Sequence, residues 1–163
     1  MPDDKKDAFT SPEDTWFAGG LQFKCTGCGK CCTGTSGSVY LSQEDLERLA
    51  AHFKVAVGAF VRSHTRMRNG RRALLDRPAR RGRDVHSQDC IFLEGKLCTV
   101  YEARPVQCRT YPWWFSNLRD AEDWQEEREL CEGIDHPSAP VIPASEILDQ
   151  AWREANNDSH GRH

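Results

Sequence analysis

The chain has 163 residues, of which 38% are hydrophobic and 29% are charged, and its net charge is −3. This length suits one domain, and the modest apolar fraction predicts a small hydrophobic core that needs other groups to hold it together. Because the net charge is so small, an argument for nucleic-acid binding would have to rest on a local cluster of positive charge. No run of residues approaches the roughly 20 apolar positions that cross a bilayer, so we expect no membrane partner.

The chain contains eight cysteines, which could form disulfides in an oxidising compartment or bind metal in a reducing one. The first eight residues, Met1 to Ala8, carry charges with no apolar run behind them, unlike a secretory signal. We therefore expect a cytoplasmic protein with reduced thiols. That compartment favours metal ligands over four disulfides, and eight ordinary core cysteines would not be clustered along the chain as these are.

Residues 1–20 are polar, end in Gly19-Gly20 and are predicted to form a flexible lead-in. A cysteine-rich loop follows, with the pattern Cys25-x2-Cys28-x2-Cys31-Cys32 and glycines between the cysteines. Glycine allows the backbone to turn tightly, and a C-x-x-C turn lets two thiolates reach one soft metal. The spacing of the first three cysteines is that of ferredoxin loops. It predicts an iron-sulfur cluster, with a zinc or iron ion as the alternative.

The next segments predict two helices and an arginine-rich stretch. Ser42 and Asp45 form a capping-box pattern before an apolar helical face, and a second short helix is expected over residues 56–64. From Arg62 to Arg83 there are nine arginines and one acid, Asp76. This stretch could bind phosphate. We interpret it instead as a solvated loop with one short strand at residues 73–75, because no stacking aromatics are interleaved.

The second half predicts the remaining elements. Residues 90–100 resemble two short strands around a Glu-Gly turn, which would bring Cys90 and Cys98 towards each other. Pro105 begins a short helix that carries Cys108. Further helical segments are expected at 119–132 and 144–155, joined by a proline-rich link, before a disordered tail at 156–163. The predicted fold class is a small α+β domain with short helices, a β-hairpin and irregular metal-binding loops.

The cysteine motifs, together with the run from Cys90 through Cys98-Thr99-Val100-Tyr101-Glu102-Ala103-Arg104-Pro105 to Cys108 and Pro112, resemble the YkgJ-type cysteine-cluster family. Its CxxCxxCC domain is described as zinc- or iron-chelating. The resemblance covers residues 21–133 and implies a metal-binding domain with no agreed reaction. The metal ligands that it implies are Cys25, Cys28, Cys31, Cys32, Cys90, Cys98, Cys108 and, by the weakest match, Cys131.

Thiolate sites carry net negative charge, so N–H donors and cations nearby should stabilise them. Lys30, Arg104 and Arg109 are placed in the sequence for that role, although Arg104 and Arg109 could instead pair with surface acids. No histidine has metal spacing, and no catalytic constellation can be identified, so enzymatic activity is left open.

The sequence therefore predicts a metal-binding accessory or cluster-handling protein. Two alternatives are a small iron-sulfur oxidoreductase and a zinc-held nucleic-acid module. A metal ion or cluster is the expected partner. A protein partner is left open, and we do not expect nucleic acid to be one.

Overall fold

The structure of the chain, a computed structural model, describes residues 9, 11–34, 38–78 and 88–157. The α-helices span Gln43–Phe53, Val57–His64, Val106–Thr110, Phe115–Leu118, Ala121–Leu130 and Ala144–Asn156, and 3-10 turns lie at Pro12–Asp14, Lys30–Cys32 and Tyr101–Ala103. The strands span Leu21–Gln22, Thr33–Gly34, Thr65–Arg68, Arg71–Leu74, Asp76–Pro78, Gln88–Cys90, Leu93–Glu94, Leu97–Cys98 and Val141–Ile142. All described strand pairs are antiparallel. The α+β prediction is confirmed. None of the helices in these described ranges is long and apolar enough to cross a membrane.

The chain divides into two units, each with its own cluster of buried side chains. The first, which we call the aromatic unit, comprises the residues up to Thr26 together with Thr110–Ala155. Its strand Leu21–Gln22 pairs with Val141–Ile142. Its core is rich in aromatic rings, with Trp113 stacked on Trp124 at 5.4 Å between ring centroids. The sequence predicts one core for the whole chain, and the structure has two clusters because apolar residues gather separately in these segments.

The second unit, which we call the thiol unit, comprises Gly27–Arg109 and the residues from Asn156 onward. Its core is mainly aliphatic, and two of its cysteines, Cys90 and Cys98, pack against the core while half-buried. The Gln43–Phe53 helix begins as predicted, because the Ser42 hydroxyl accepts from the Asp45 N–H and the Asp45 carboxylate accepts from the Ser42 N–H. The second helix is also confirmed, at Val57–His64.

The arginine-rich segment differs from the solvated loop predicted from the sequence. Thr65–Arg68 and Arg71–Leu74 form a hairpin, and Asp76–Pro78 is the edge of a three-stranded sheet. The arginines make local contacts: Arg66 pairs with Asp76, and the Arg71 guanidinium lies 3.7 Å from the Tyr40 ring centroid. The strand predicted at residues 73–75 overlaps Arg71–Leu74, whereas its partner Thr65–Arg68 was not predicted. Residues 79–83 lie outside the described residues.

Side chains near both ends of the described chain make tertiary contacts. Phe9 and Phe17 are buried in the core of the aromatic unit, although both lie in the segment predicted as a polar lead-in. At the other end, the Asn157 side chain donates to Asp45 in the thiol unit. Residues 1–8, 10 and 158–163 of the predicted lead-in and tail lie outside the described residues.

Candidate metal centre

The cysteine loop of the thiol unit is held against a β-hairpin by a glycine. Gly29 has φ +73°, in the left-handed region, and precedes the Lys30–Cys32 turn. A Cβ at Gly29 would lie 2.7 Å from the Lys96 carbonyl oxygen, and Lys96 is in the turn between Leu93–Glu94 and Leu97–Cys98. Only glycine allows an approach this close. The contact therefore holds the turn that carries Cys31 and Cys32 on the hairpin that carries Cys98.

Strand pairing brings further cysteines to the same place. Thr33 lies across from Asp89 in the antiparallel pair of Thr33–Gly34 with Gln88–Cys90. Continued by one residue, this register sets Cys32 across from Cys90. The predicted hairpin is present, although its strands are only Leu93–Glu94 and Leu97–Cys98, and Cys90 belongs to the three-stranded sheet.

Five sulfurs interact electrostatically in this region. Burial is the main cause that raises the pKa of Cys90 to about 11, and Cys98 and Cys31 raise it further. Burial also raises the pKa of Cys98 and, to a greater extent, that of Cys108, which is raised further by Cys90, Cys31 and Cys98. These mutual effects identify a cluster that we call the five-thiol group: Cys31, Cys32, Cys90, Cys98 and Cys108.

The adjacent pair in this group is asymmetric. The Cys31 and Cys32 sulfurs lie 4.0 Å apart. A hydrogen bond between them lowers the pKa of Cys31 to about 7 and raises the pKa of Cys32. Cys31 is exposed and Cys32 is half-buried. At neutral pH the group therefore carries up to one thiolate on its accessible side, beside thiols that burial and their neighbours keep protonated.

The predicted cation Arg104 faces the five-thiol group. Arg104 lowers the pKa of Cys31, Cys98 and Cys108, opposing the larger effect of burial at the latter two. Its guanidinium lies 3.7 Å from the Tyr101 ring centroid, and its Nε donates to the Tyr101 carbonyl at 2.9 Å. Lys30 is exposed in the turn of the cysteine loop, and Arg109 is exposed beside Cys108 on the Val106–Thr110 helix. Sequence reasoning missed Tyr101, whose signal is an aromatic residue three positions before Arg104.

The other three predicted ligands stand in different surroundings. Cys28 belongs to the thiol unit and is half-buried, whereas Cys25 and Cys131 belong to the aromatic unit. Cys25 is exposed. Cys131 is buried, and its side chain hydrogen-bonds with that of Tyr111. The pKa of Tyr111 is raised by burial, by Glu127 and by Cys131.

The donor chemistry of the five-thiol group suits a soft metal, because thiolates are the preferred ligands of zinc, Cu(I) and iron-sulfur clusters. In residues 9, 11–34, 38–78 and 88–157, no three His, Cys, Asp or Glu side chains are arranged as a finished metal-ligand set. The sulfurs are thus gathered in one region but would have to approach one another further to bind one metal together.

A family model matches residues 24–132, more than half of the chain, and its description is "CxxCxxCC: Putative zinc- or iron-chelating domain". The chain belongs to this family of cysteine-rich metal-chelating domains. The family resemblance noted from the sequence is thereby confirmed, and the family supports metal binding in general. No solved structure matches the chain.

Proposed function

We propose that the thiol unit binds a metal through cysteine thiolates and that the protein is an accessory factor that handles the metal or cluster. The observation that carries this proposal is the five-thiol group, in which separate segments of the chain bring sulfurs into mutual electrostatic contact. Packing as small core side chains does not account for this group, because Cys31 is exposed and Cys32 is only half-buried.

The residues that would hold the metal are drawn from the five-thiol group, with Cys28 from the same loop. An iron-sulfur cluster, or a thiolate-held zinc or iron ion, suits this set of donors. Because each thiolate ligand is negatively charged, a soft metal bound to this set would leave the site with a net negative charge. Arg104 supplies the compensating positive charge, and its position over the Tyr101 ring keeps the guanidinium oriented.

The cysteine loop supports a site built from several segments. The Lys30–Cys32 turn is short and is held at both ends, by the Gly29 contact with the hairpin before it and by the pairing of Thr33–Gly34 with Gln88–Cys90 after it. Cys31 and Cys32 are therefore kept close to Cys90 and Cys98. Metal sites of this kind couple binding to ordering, since the ligands have little reason to converge alone.

The test is metal and sulfide analysis of protein purified without oxygen, comparing wild type with matched variants. Cys108→Ser removes a member of the five-thiol group, and serine is a poor ligand for soft metals. We expect this variant to lose most of its metal, and Cys28→Ser to behave likewise. Cys131→Ser makes the same chemical change in the aromatic unit, and we expect its metal content to match wild type.

The measurement also separates the candidate metals. Brown protein with iron and stoichiometric sulfide identifies a cluster, and colourless protein with zinc identifies a thiolate zinc site. Full metal content in Cys108→Ser would overturn the proposed ligand set. Equal losses in Cys108→Ser and Cys131→Ser would show that the site is not confined to the thiol unit.

A further inference from the structure

Asp45 is a fully buried carboxylate in the first turn of the Gln43–Phe53 helix, with 0% of its surface exposed. A buried charge is costly unless it is fully hydrogen-bonded. The capping box accounts for only one of its acceptor contacts, the Ser42 N–H on Oδ2 at 3.1 Å. Helix capping alone therefore does not explain why a carboxylate is buried here.

Two of the three remaining contacts of Asp45, those with Val106 and Asn157, connect the helix to distant parts of the thiol unit. Oδ1 accepts from the Val106 N–H at 3.0 Å and from Arg48 Nη2, and Oδ2 accepts from Asn157 Nδ2 at 2.9 Å. Four donors thus meet two oxygens. Val106 is the first residue of the Val106–Thr110 helix that carries Cys108, so the carboxylate binds the backbone at the start of that short helix.

Arg48 extends the same network to a residue just before that helix. Its Nη2 also donates to the Arg104 carbonyl at 3.2 Å. Asp45 and Arg48 therefore hold residues 104–106 from both sides, by a carbonyl at one end and an amide at the other. This short segment carries the Arg104 guanidinium and leads directly to the Cys108 thiol, which interacts electrostatically with the other thiols.

We propose that Asp45 is a positioning residue of the metal centre, whose buried carboxylate fixes the segment 104–108 and thereby the placement of Cys108 and Arg104 towards the other thiols. This inference rests on the proposed function and adds a residue that is not itself a metal ligand. Residues that orient metal ligands without binding the metal themselves commonly contribute about 10–100-fold to metal affinity.

A carboxylate is required because it only accepts hydrogen bonds. In Asp45→Asn one oxygen becomes an NH₂ group, which would face two donors in either orientation of the amide. If the NH₂ replaces Oδ1, the bonds to Val106 and Arg48 are lost. If it replaces Oδ2, the bond from the Ser42 N–H is lost, and the bonds from the Val106 N–H and Arg48 to Oδ1 remain without the negative charge that strengthens them. The near-isosteric change therefore weakens the hold on residues 104–106 in either orientation without leaving a cavity.

The experiment measures Co²⁺ binding to the metal-free, reduced full chain through thiolate-to-cobalt absorption. We expect Asp45→Asn to bind Co²⁺ about tenfold or more weakly than wild type, with lower absorption for each bound Co²⁺ because the Cys108 sulfur no longer reaches it. A purely structural role would lower the thermal stability and leave affinity and absorption unchanged in the folded protein.

A second pair of variants keeps the inference testable if Asp45→Asn does not fold. Val106→Pro removes the N–H that donates to Asp45, and proline is well tolerated at the first position of a helix. Val106→Ala keeps that N–H and controls for the loss of the valine side chain. We expect the affinity loss in Val106→Pro and not in Val106→Ala.

Removal of a helix cap elsewhere in the chain distinguishes loss of ligand positioning from a general loss of stability. The Asp120 carboxylate caps the Ala121–Leu130 helix of the aromatic unit by accepting from Asp123 N–H at 2.9 Å. Asp120→Ala should lower thermal stability and leave Co²⁺ binding unchanged. Wild-type affinity in both Asp45→Asn and Val106→Pro would overturn the role of Asp45 but not the proposed function. A wild-type protein that binds no Co²⁺ would overturn the proposed function and this inference with it.

Discussion

The aromatic unit and the thiol unit bury different kinds of side chain. All five tryptophans of the chain belong to the aromatic unit, and Trp124 and Trp113 are almost completely buried there. The thiol unit has no tryptophan. Its core is built mostly from leucine, alanine and phenylalanine, and half-buried cysteines border it. One unit thus has large rings to stabilise it, and the other has a smaller core beside reactive sulfur.

The difference indicates where each unit obtains its stability. A buried tryptophan removes a large apolar area from water, so hydrophobic burial is the main source of stability in the aromatic unit. In the thiol unit, burial and mutual repulsion raise the pKa of Cys90, Cys98 and Cys108, which means that their thiolates are disfavoured without a cation among them. A metal would relieve this cost, so the thiol unit is the part expected to depend on it.

Metal removal should have the largest effect and should act on one unit. We expect chelation to increase hydrogen exchange in residues 28–34 and 88–109, because bound metal orders the loops that supply its ligands. Tryptophan emission, which reports only on the aromatic unit, should stay nearly constant. Mass spectrometry of exchanged peptides and fluorescence of the same samples measure both. A red shift in emission as large as that on denaturation would contradict this division.

Substitution of a glycine in the cysteine loop should change metal binding less than metal removal does, and it tests a single contact. Gly29→Ala adds a methyl group 2.7 Å from the Lys96 carbonyl oxygen and also strains a positive φ, so it should separate the loop from the hairpin and weaken metal binding. Gly27→Ala is the matched control, since Gly27 also has positive φ but nothing lies within 4 Å of the added methyl. It should cost about 1 kcal/mol of stability. Metal titration and thermal unfolding of both variants test this, and equal metal affinity in the two would remove the role of the Gly29 contact.

The smallest expected effect is a pH dependence of metal uptake. In the metal-free protein the pKa of Cys90 is raised to about 11, and the pKa values of Cys98 and Cys108 are raised as well, so these thiols are protonated at neutral pH. Each must release a proton to bind metal. Affinity should therefore fall as pH falls, and calorimetry in two buffers of different ionisation enthalpy should detect the released protons.

The metal-free protein should show the opposite dependence. A folded-state pKa above the unfolded value, about 8.5 for a thiol, contributes stability that is complete below that pH. This contribution is lost as the pH rises towards about 11, where Cys90 ionises. Unfolding of the metal-free chain by denaturant at pH 8 and pH 10 measures it. Stability that rises with pH over this range would contradict the raised pKa values.

Much of the local structure follows from short-range rules. The capping box at Ser42 and Asp45 predicts its helix because both partners are three residues apart, and Pro105 marks the helix of Cys108 for a similar reason. The full set of eight ligands came from the family resemblance of the cysteine motifs. Whether all eight bind metal is still a prediction, and so is the division of the chain into a lead-in, a cysteine-cluster domain, a link with its helix and a tail.

Features that depend on long-range contact were not predictable. The bond from Val106 N–H to Asp45 joins residues far apart in sequence, and nothing in the capping pattern indicates it. Only one strand of the arginine-rich hairpin was predicted, at residues 73–75, because the arginines of Thr65–Arg68 leave no apolar alternation that would mark the partner strand. Phe9 and Phe17 were missed because the few apolar residues of this segment form no helical or strand period.

The pairing of Leu21–Gln22 with Val141–Ile142 has a consequence for the order of synthesis and folding. It makes the aromatic unit discontinuous, with nearly the whole thiol unit inserted between its two parts. The strands Leu21–Gln22 and Val141–Ile142 must meet before the aromatic core can form. The entropy cost of bringing them together grows with the length of flexible chain between them. A growing chain therefore completes residues 27–109 before the aromatic core has its second half. Metal captured at that time would shorten the flexible loop and bring forward the closure of the aromatic core.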